Sequence, residues 1–370
     1  MSRRWENYVL HSGHDSAAFW NEFLAQRERR VLYVMGQGFD PRMCLGLDML
    51  LSQGGAGERD VLLIAYQGQE HLTDLEREAI RRNRAFLDGL AAGRGSVFEV
   101  GIRLRDERRR FVGADEIAAQ LRSWDFSSYN DVIIDVSSTP RTVALTALAT
   151  VLNQSDRMRS SGNAAPNVHV ISTESMGVDS AISQIGIDDT VTMLPYFVAE
   201  IDSESSAEQP RVWFPILGEG KADRLTTLHD FIRPSEISPV LPSPTLNPYR
   251  GDRLIAEYRK ILFDELQVDA RNFVYAAENN PFECYRQLHH SIKAYSETLN
   301  ILGGCKPIIS PLSSRLLSVG AFLAAYELRE EGIKVGLAYL ETHNYGLQDV
   351  DMSKVDCTIH TLCIAGEVYA

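Results

Sequence analysis

One order of strands and helices occurs twice in this chain, and nothing else constrains its fold as strongly. The first run opens with RVLYVMGQGFDPRMCLGLDML (Arg30–Leu50), an apolar strand, a glycine turn and a helical pattern. It continues through DVLLIAY (Asp60–Tyr66) and DVIIDVSSTPRTVALTALATVL (Asp131–Leu152) to NVHVIST (Asn167–Thr173). The second run opens with RVWFPILGEGKADRLTTLHDFI (Arg211–Ile232) and passes through RNFVYAAENNPFECYRQL (Arg271–Leu288). It then reaches KPIISPLSSRLLSVGAFLAAYEL (Lys306–Leu328) and ends at KVGLAYLET (Lys334–Thr342). Short apolar runs rich in β-branched residues are the pattern of strands buried on both faces of a parallel sheet. Strand alternating with helix then predicts an α/β fold. The expectation is two tandem Rossmann-like, doubly wound parallel-sheet units related by a pseudo-twofold duplication, with function in the cleft between them.

At 370 residues the chain suits two domains. Residues 1–29 read as a helical lead-in capped by Ser16, residues 30–201 as domain one, and 211–370 as domain two with a C-terminal extension. The polar stretch Asp202–Pro210 is the expected linker. In the extension, CTIHTLCI is expected to add an edge strand or cover the sheet. RPSEISPVLPSPTLNPYRGD carries five prolines and reads as a long ordered loop, because Pro opposes both helix and central strand. Ser155–Pro166 reads as a surface loop.

No apolar run is long enough to span a bilayer and the N-terminus lacks a signal-peptide core, so no membrane partner is expected and the cytoplasm is the default compartment. The net charge of −13 argues against long nucleic acid as a partner. A small anion remains within reach of a few placed arginines. The basic runs Arg81–Arg84 and Arg105–Arg110 read as solvated faces. Cys44, Cys284, Cys305, Cys357 and Cys363 form no C-x-x-C pair, so they read as reduced thiols, mostly buried.

Four motifs carry candidate chemistry. GQGFDPR follows a strand and precedes a helix, so Gly36 and Gly38 allow close backbone approach and the helix start favours an anion. Arg42 has two readings, a phosphate ligand or a partner of Asp40. LGEGKADR repeats the turn with Gly218, Gly220 and Lys221. DVSSTPR places Ser137, Ser138, Thr139 and Arg141 where a buried strand exits into a helix, the edge at which open α/β sheets bind ligands. SPLSSR places Ser313, Ser314 and Arg315 at the matching point. For both hydroxyl clusters the alternative is helix N-capping beside a surface arginine.

AAENNPFECYRQLHHS adds Glu278 and Asn280 as candidate ribose or base-edge contacts, with a helix start at Asn280-Pro281 as the alternative. Glu278 with His289 or His290 would be the acid–base or metal pairing here. H-E-x-x-H is absent, so no metal or other cofactor is expected. No nucleophile elbow is present either, and no catalytic residue is assigned.

A strand ending in an acidic residue, then hydroxyls, then a basic residue at the helix start resembles the signature of CARF domains, the CRISPR-associated Rossmann fold. The likeness extends to the related SAVED domains, which resemble two fused CARF units. It covers roughly Arg30–Thr342; DVSSTPR is the nearer match, while SPLSSR lacks the acidic position. The resemblance implies a sensor of a cyclic or linear oligonucleotide messenger in prokaryotic antiviral defence. Because no effector module is legible, a separate effector protein is implied. Two alternatives stand beside it: a metal-independent phosphodiesterase on a cyclic oligonucleotide, and a non-catalytic scaffold subunit.

Overall fold

The computed structural model describes residues 3–68, 72–188, 190–199, 209–348 and 350–369. The expected linker therefore lies outside the described residues over 202–208. The chain forms two compact units. One is Asn7–Gly186 with the stretch from Thr342 onward; the other is Ile187–Glu341 with the N-terminal residues up to Glu6.

The first unit begins with β1 (Val9–Ser12), α1 (His14–Ala25), β2 (Val31–Gly36), α2 (Leu45–Ser52) and β3 (Arg59–Gln67). It continues with α3 (Asp74–Ala91), β4 (Val97–Arg103), α4 (Gly113–Arg122), β5 (Asp131–Asp135), α5 (Arg141–Ser160) and β6 (Asn167–Glu174). The short α6 (Met176–Ala181) and β7 (Ile182–Ile187) follow. The second unit contains β8 (Thr192–Met193), β9 (Arg211–Ile216), α7 (Ala222–Ile232), β10 (Glu236–Ile237), β11 (Val240–Pro242) and α8 (Arg250–Arg259). After these come β12 (Val274–Ala276), α9 (Pro281–Thr298), β13 (Lys306–Pro311), α10 (Arg315–Glu330) and β14 (Gly336–Tyr339). The chain closes with β15 (Thr342–Leu347), which pairs with β7, and β16 (Thr358–Ala365).

The first sheet runs β1-β16-β6-β5-β2-β3-β4. Its β2 to β6 strands are parallel, and β16 lies antiparallel to both β6 and β1. The second sheet runs β12-β11-β9-β13-β14-β8, with β10 also pairing to β9. Counting the parallel strands of each unit in chain order, and taking β10 and β11, which both pair along β9, as one interrupted strand, both sheets read 3-2-1-4-5, the doubly wound arrangement. In each, an antiparallel strand covers the fifth position: β16 against β6, and β8 against β14.

Burial follows the apolar runs. Every residue of β2 and β13 is buried, as strands covered on both faces require. Thr73 and Glu76 form a reciprocal capping box that starts α3. The buried face of α1 carries Trp20, Phe23 and Leu24, and Trp20 donates to Thr361 of β16 at 2.9 Å. Three of the five free cysteines are buried. Among the described residues no helix is long and apolar enough to cross a membrane.

Four expectations change. The lead-in holds a strand as well as a helix, and α1 starts at His14, with Ser16 inside it bonding Thr361. CTIHTLCI is neither an edge strand nor part of the second unit: β16 sits between β1 and β6 in the first sheet. Its buried Leu362, Cys363 and Ile364 gain the apolar cover that drives this pairing. The proline-rich segment contributes β11 to the interior of the second sheet. Only Val240 and Leu241 separate Pro239 from Pro242, and the prolines sit at the ends of the strand, where ladder donors are not needed. Finally, α5 extends to Ser160, shortening the expected loop to residues 161–166.

Candidate functional site

In the first unit, β2 and β5 are neighbours whose connections leave toward opposite sides of the sheet, which makes their carboxyl ends the switch point at which open α/β sheets bind ligands. Two predicted motifs meet there. The Gly36 N–H donates to Thr139 Oγ1 at 3.0 Å, and Thr139 Oγ1 donates to the Asp135 carbonyl at 3.2 Å. A Cβ on Gly36 would lie 2.2 Å from Tyr66 Oη, so this close approach needs glycine.

Asp135 is buried and accepts from the Ser137 N–H at 2.7 Å and from Tyr33 Oη at 2.5 Å. Burial, and then the Asp135 carboxylate, push the Tyr33 phenol well above its ordinary value. Ser137 Oγ in turn accepts from the Thr173 N–H at 2.8 Å. Asp135, Ser137 and Thr139 thus build the frame of the edge. Ser138 and Arg141 are half-buried, and Arg141 is the first residue of α5.

The glycine turn is held from behind. Asn83 Nδ2 donates to the Gly38 and Asp40 carbonyls, both at 2.9 Å. Arg42 is 1% exposed and binds Asp40 through two nitrogens, at 3.0 and 2.8 Å, with Asp179 on a third at 2.8 Å. Burial alone would lower its pKa; the Asp40 contacts outweigh that and leave it raised. Of the two readings of Arg42, the pairing with Asp40 is the one formed, which commits the guanidinium to the fold.

An open surface pocket of about 370 Å³ lies beside this turn. It is lined by Gln37, Tyr66, Leu72, Arg77, Ile80 and Arg81, where β2 and β3 end and α3 begins. Arg77 donates to the Leu72 carbonyl at 3.0 and 2.6 Å, and Arg81 reaches Glu78 at 2.5 Å. The two cations are one helical turn apart and lie over one wall. Sequence reasoning missed Gln37, Tyr66 and Arg77; its solvated face for Arg81 holds, since that side chain is 72% exposed where it borders the pocket. The available signal was the spacing Arg77-x-x-x-Arg81 in the first turns of a helix that follows a buried strand.

In the second unit the equivalent neighbours are β9 and β13. A Cβ on Gly218 would lie 2.5 Å from the Leu312 carbonyl and 2.8 Å from Ser313 Cα, so the second glycine turn also presses against the second hydroxyl cluster. Its backbone groups are engaged by α8. Tyr258 Oη donates to the Gly218 carbonyl at 2.6 Å and accepts from the Lys221 N–H at 3.1 Å. The Gly220 N–H, at φ +66°, donates to Glu257 at 2.7 Å. Lys221 is the N-cap of α7. Ser314 caps α10 by accepting from the Leu317 N–H at 3.2 Å, Ser313 is buried, and Arg315 opens the helix.

Glu278 and Asn280 have folding roles. Arg250 clamps Glu278 at 2.5 Å and Glu219 at 2.5 and 2.7 Å, and Glu278 also accepts from the Leu246 N–H at 2.9 Å. The Arg250 bond, as the largest influence, holds the Glu219 carboxyl below its usual range. Asn280 is the N-cap of α9, accepting from the Phe282 and Glu283 N–H groups at 3.1 and 3.2 Å. The helix-start alternative is therefore the arrangement formed at Asn280. His289 pairs with Glu331 at 3.1 Å, not with Glu278.

No protein-family model matches the chain, and no curated protein is significantly similar to it.

Proposed function

We propose that this chain binds a nucleotide or short cyclic or linear oligonucleotide and passes that state to a separate effector protein, as the CARF and SAVED sensors it resembles do. Its halves are read as duplicated Rossmann-like units, each binding at the carboxyl edge of its sheet. The observation that carries the reading is the pocket beside the Gly36–Gly38 turn. Arg77 and Arg81 supply positive charge for a phosphate, while Tyr66, Leu72 and Ile80 supply a flat and apolar wall for a base. Two further features support it. Both sheets share the 3-2-1-4-5 order, and in both the glycine turn of the first strand abuts the hydroxyl cluster of the fourth.

Titration calorimetry with mononucleotides and with linear and cyclic oligonucleotides tests this. One class is expected to bind at micromolar affinity or better. Arg81→Ala is expected to weaken it about 10–100-fold, since a charged hydrogen bond contributes about 1.5–3 kcal/mol. Arg141→Ala and Arg315→Ala report whether each hydroxyl–arginine edge takes part. Absence of binding across the panel, or binding indifferent to all three arginines, overturns the proposal.

A further inference from the structure

The second unit holds a cluster that the proposed function does not use. His289 of α9 faces Glu327 of α10 and Glu331, the C-cap of that helix, and one donor atom from each lies within 4.8 Å of the others. His289 is 3% exposed and Glu327 5%, whereas the Glu331 side chain is 26% exposed and open to solvent. We propose that these three residues bind a divalent transition-metal ion, with zinc as the best chemical match, and that the ion staples α9 to α10.

The donor chemistry is the first argument. One imidazole nitrogen and two carboxylates form a mixed N/O set that suits Zn²⁺ and its neighbours better than Mg²⁺ or Ca²⁺, which take oxygen alone. The spacing is the second. Glu327 and Glu331 are four residues apart, so both carboxylates leave the same face of one helix toward the facing histidine.

The third argument is the orientation of the ring. His289 Nε2, the nitrogen that would hold the ion, already points into the cluster and meets Glu331 Oε1 at 3.1 Å.

Outer contacts already orient the carboxylates, as around built metal sites. Glu327 accepts from Tyr285 Oη and, at 2.6 Å, from the Arg4 N–H. Glu331 accepts from Lys293 Nζ at 2.8 Å. Lys293 is the internal competitor: its side chain is 45% exposed and can swing into water when an ion arrives. Three protein ligands leave at least one coordination position for water on the Glu331 side.

The test uses the full chain, stripped with chelator and titrated with ZnCl₂ alone. One equivalent is expected to bind and to raise the unfolding midpoint. Co²⁺ at the same site is expected to give a visible spectrum of low coordination number. His289→Ala and Glu331→Gln are each expected to weaken zinc more than about 100-fold, beyond the range typical for second-sphere changes. Lys293→Ala keeps the three ligands and removes the competitor, so it is expected to tighten zinc. A plain ion-pair network predicts the reverse for that variant, a loss of stability with no gain in metal affinity. Failure of the wild-type chain to bind Zn²⁺, or binding that survives both ligand substitutions, overturns the site. This outcome is independent of nucleotide binding, because none of these residues lines the pocket.

Discussion

Gly36 and Thr139, far apart in sequence, are joined by a 3.0 Å hydrogen bond from the glycine N–H to the threonine hydroxyl. That bond ties the exit of β2 to the exit of β5. Gly36→Ala would drive a Cβ to within 2.2 Å of Tyr66 Oη and 2.8 Å of Thr139 Oγ1. The expected cost is about 1–3 kcal/mol from overpacking, with Tyr66 displaced toward the pocket. Urea unfolding measures the first effect and tyrosine fluorescence or ligand affinity the second.

Arg42 makes a contrasting prediction. Its removal leaves Asp40, 6% exposed, as a buried carboxylate without its main partner. Arg42→Ala is expected to cost about 3–5 kcal/mol, and Asp40→Ala in the same chain is expected to restore part of it. Additive losses in the double variant would show that the pair is not the unit described here. A phosphate-ligand role predicts instead a loss of affinity with stability intact.

Asn280 separates capping from ligand contact in the same way. Asn280→Ala is expected to cost about 0.5–2 kcal/mol by removing the cap of α9. Asn280→Asp or Asn280→Ser should recover most of that stability. Oligonucleotide affinity should be unchanged in all three variants, so a selective loss of affinity would refute the capping role.

His169 controls a pH dependence. Its Nε2 lies 3.1 Å from Asp131, which also holds Arg29 at 3.2 Å and Asn167 at 2.8 Å. Burial alone would lower the imidazole; Cys363 and the Asp131 contact overcome this and raise it to about 9. A group raised in the folded state stabilises fully below its ordinary value of 6.5, and that stability is lost as pH rises through about 9. Urea midpoints are therefore expected to fall between those limits, and His169→Gln should remove this part of the slope. An identical slope in the variant counts against the assignment.

How far the site could be read in advance differs motif by motif. The hydroxyl clusters and glycine turns were legible as strand exits because apolar runs end abruptly in them. Their pairing, first with fourth strand in each unit, follows once the doubly wound order is assumed. Glu278 was legible only as an acidic residue after a strand, which looks the same whether a ligand or Arg250 neutralises it. Tyr66 and Arg77 were missed because each is ordinary in its own segment. They become a pocket wall only when the end of β3 and the first turns of α3 are brought against the turn after β2.

The amino-acid sequence alone determined the α/β alternation, the buried parallel strands and the places where they exit toward possible ligands. These are local properties: periodicity, β-branching, glycine and proline act within a few residues of themselves. Tertiary structure alone decided that β16 returns to the first sheet, that β11 survives between prolines, and that Arg42 is spent on Asp40. It also brought His289 to Glu327 and Glu331, some forty residues further along the chain. Such choices depend on which distant surface offers apolar cover or an opposite charge, and chain order does not encode that distance.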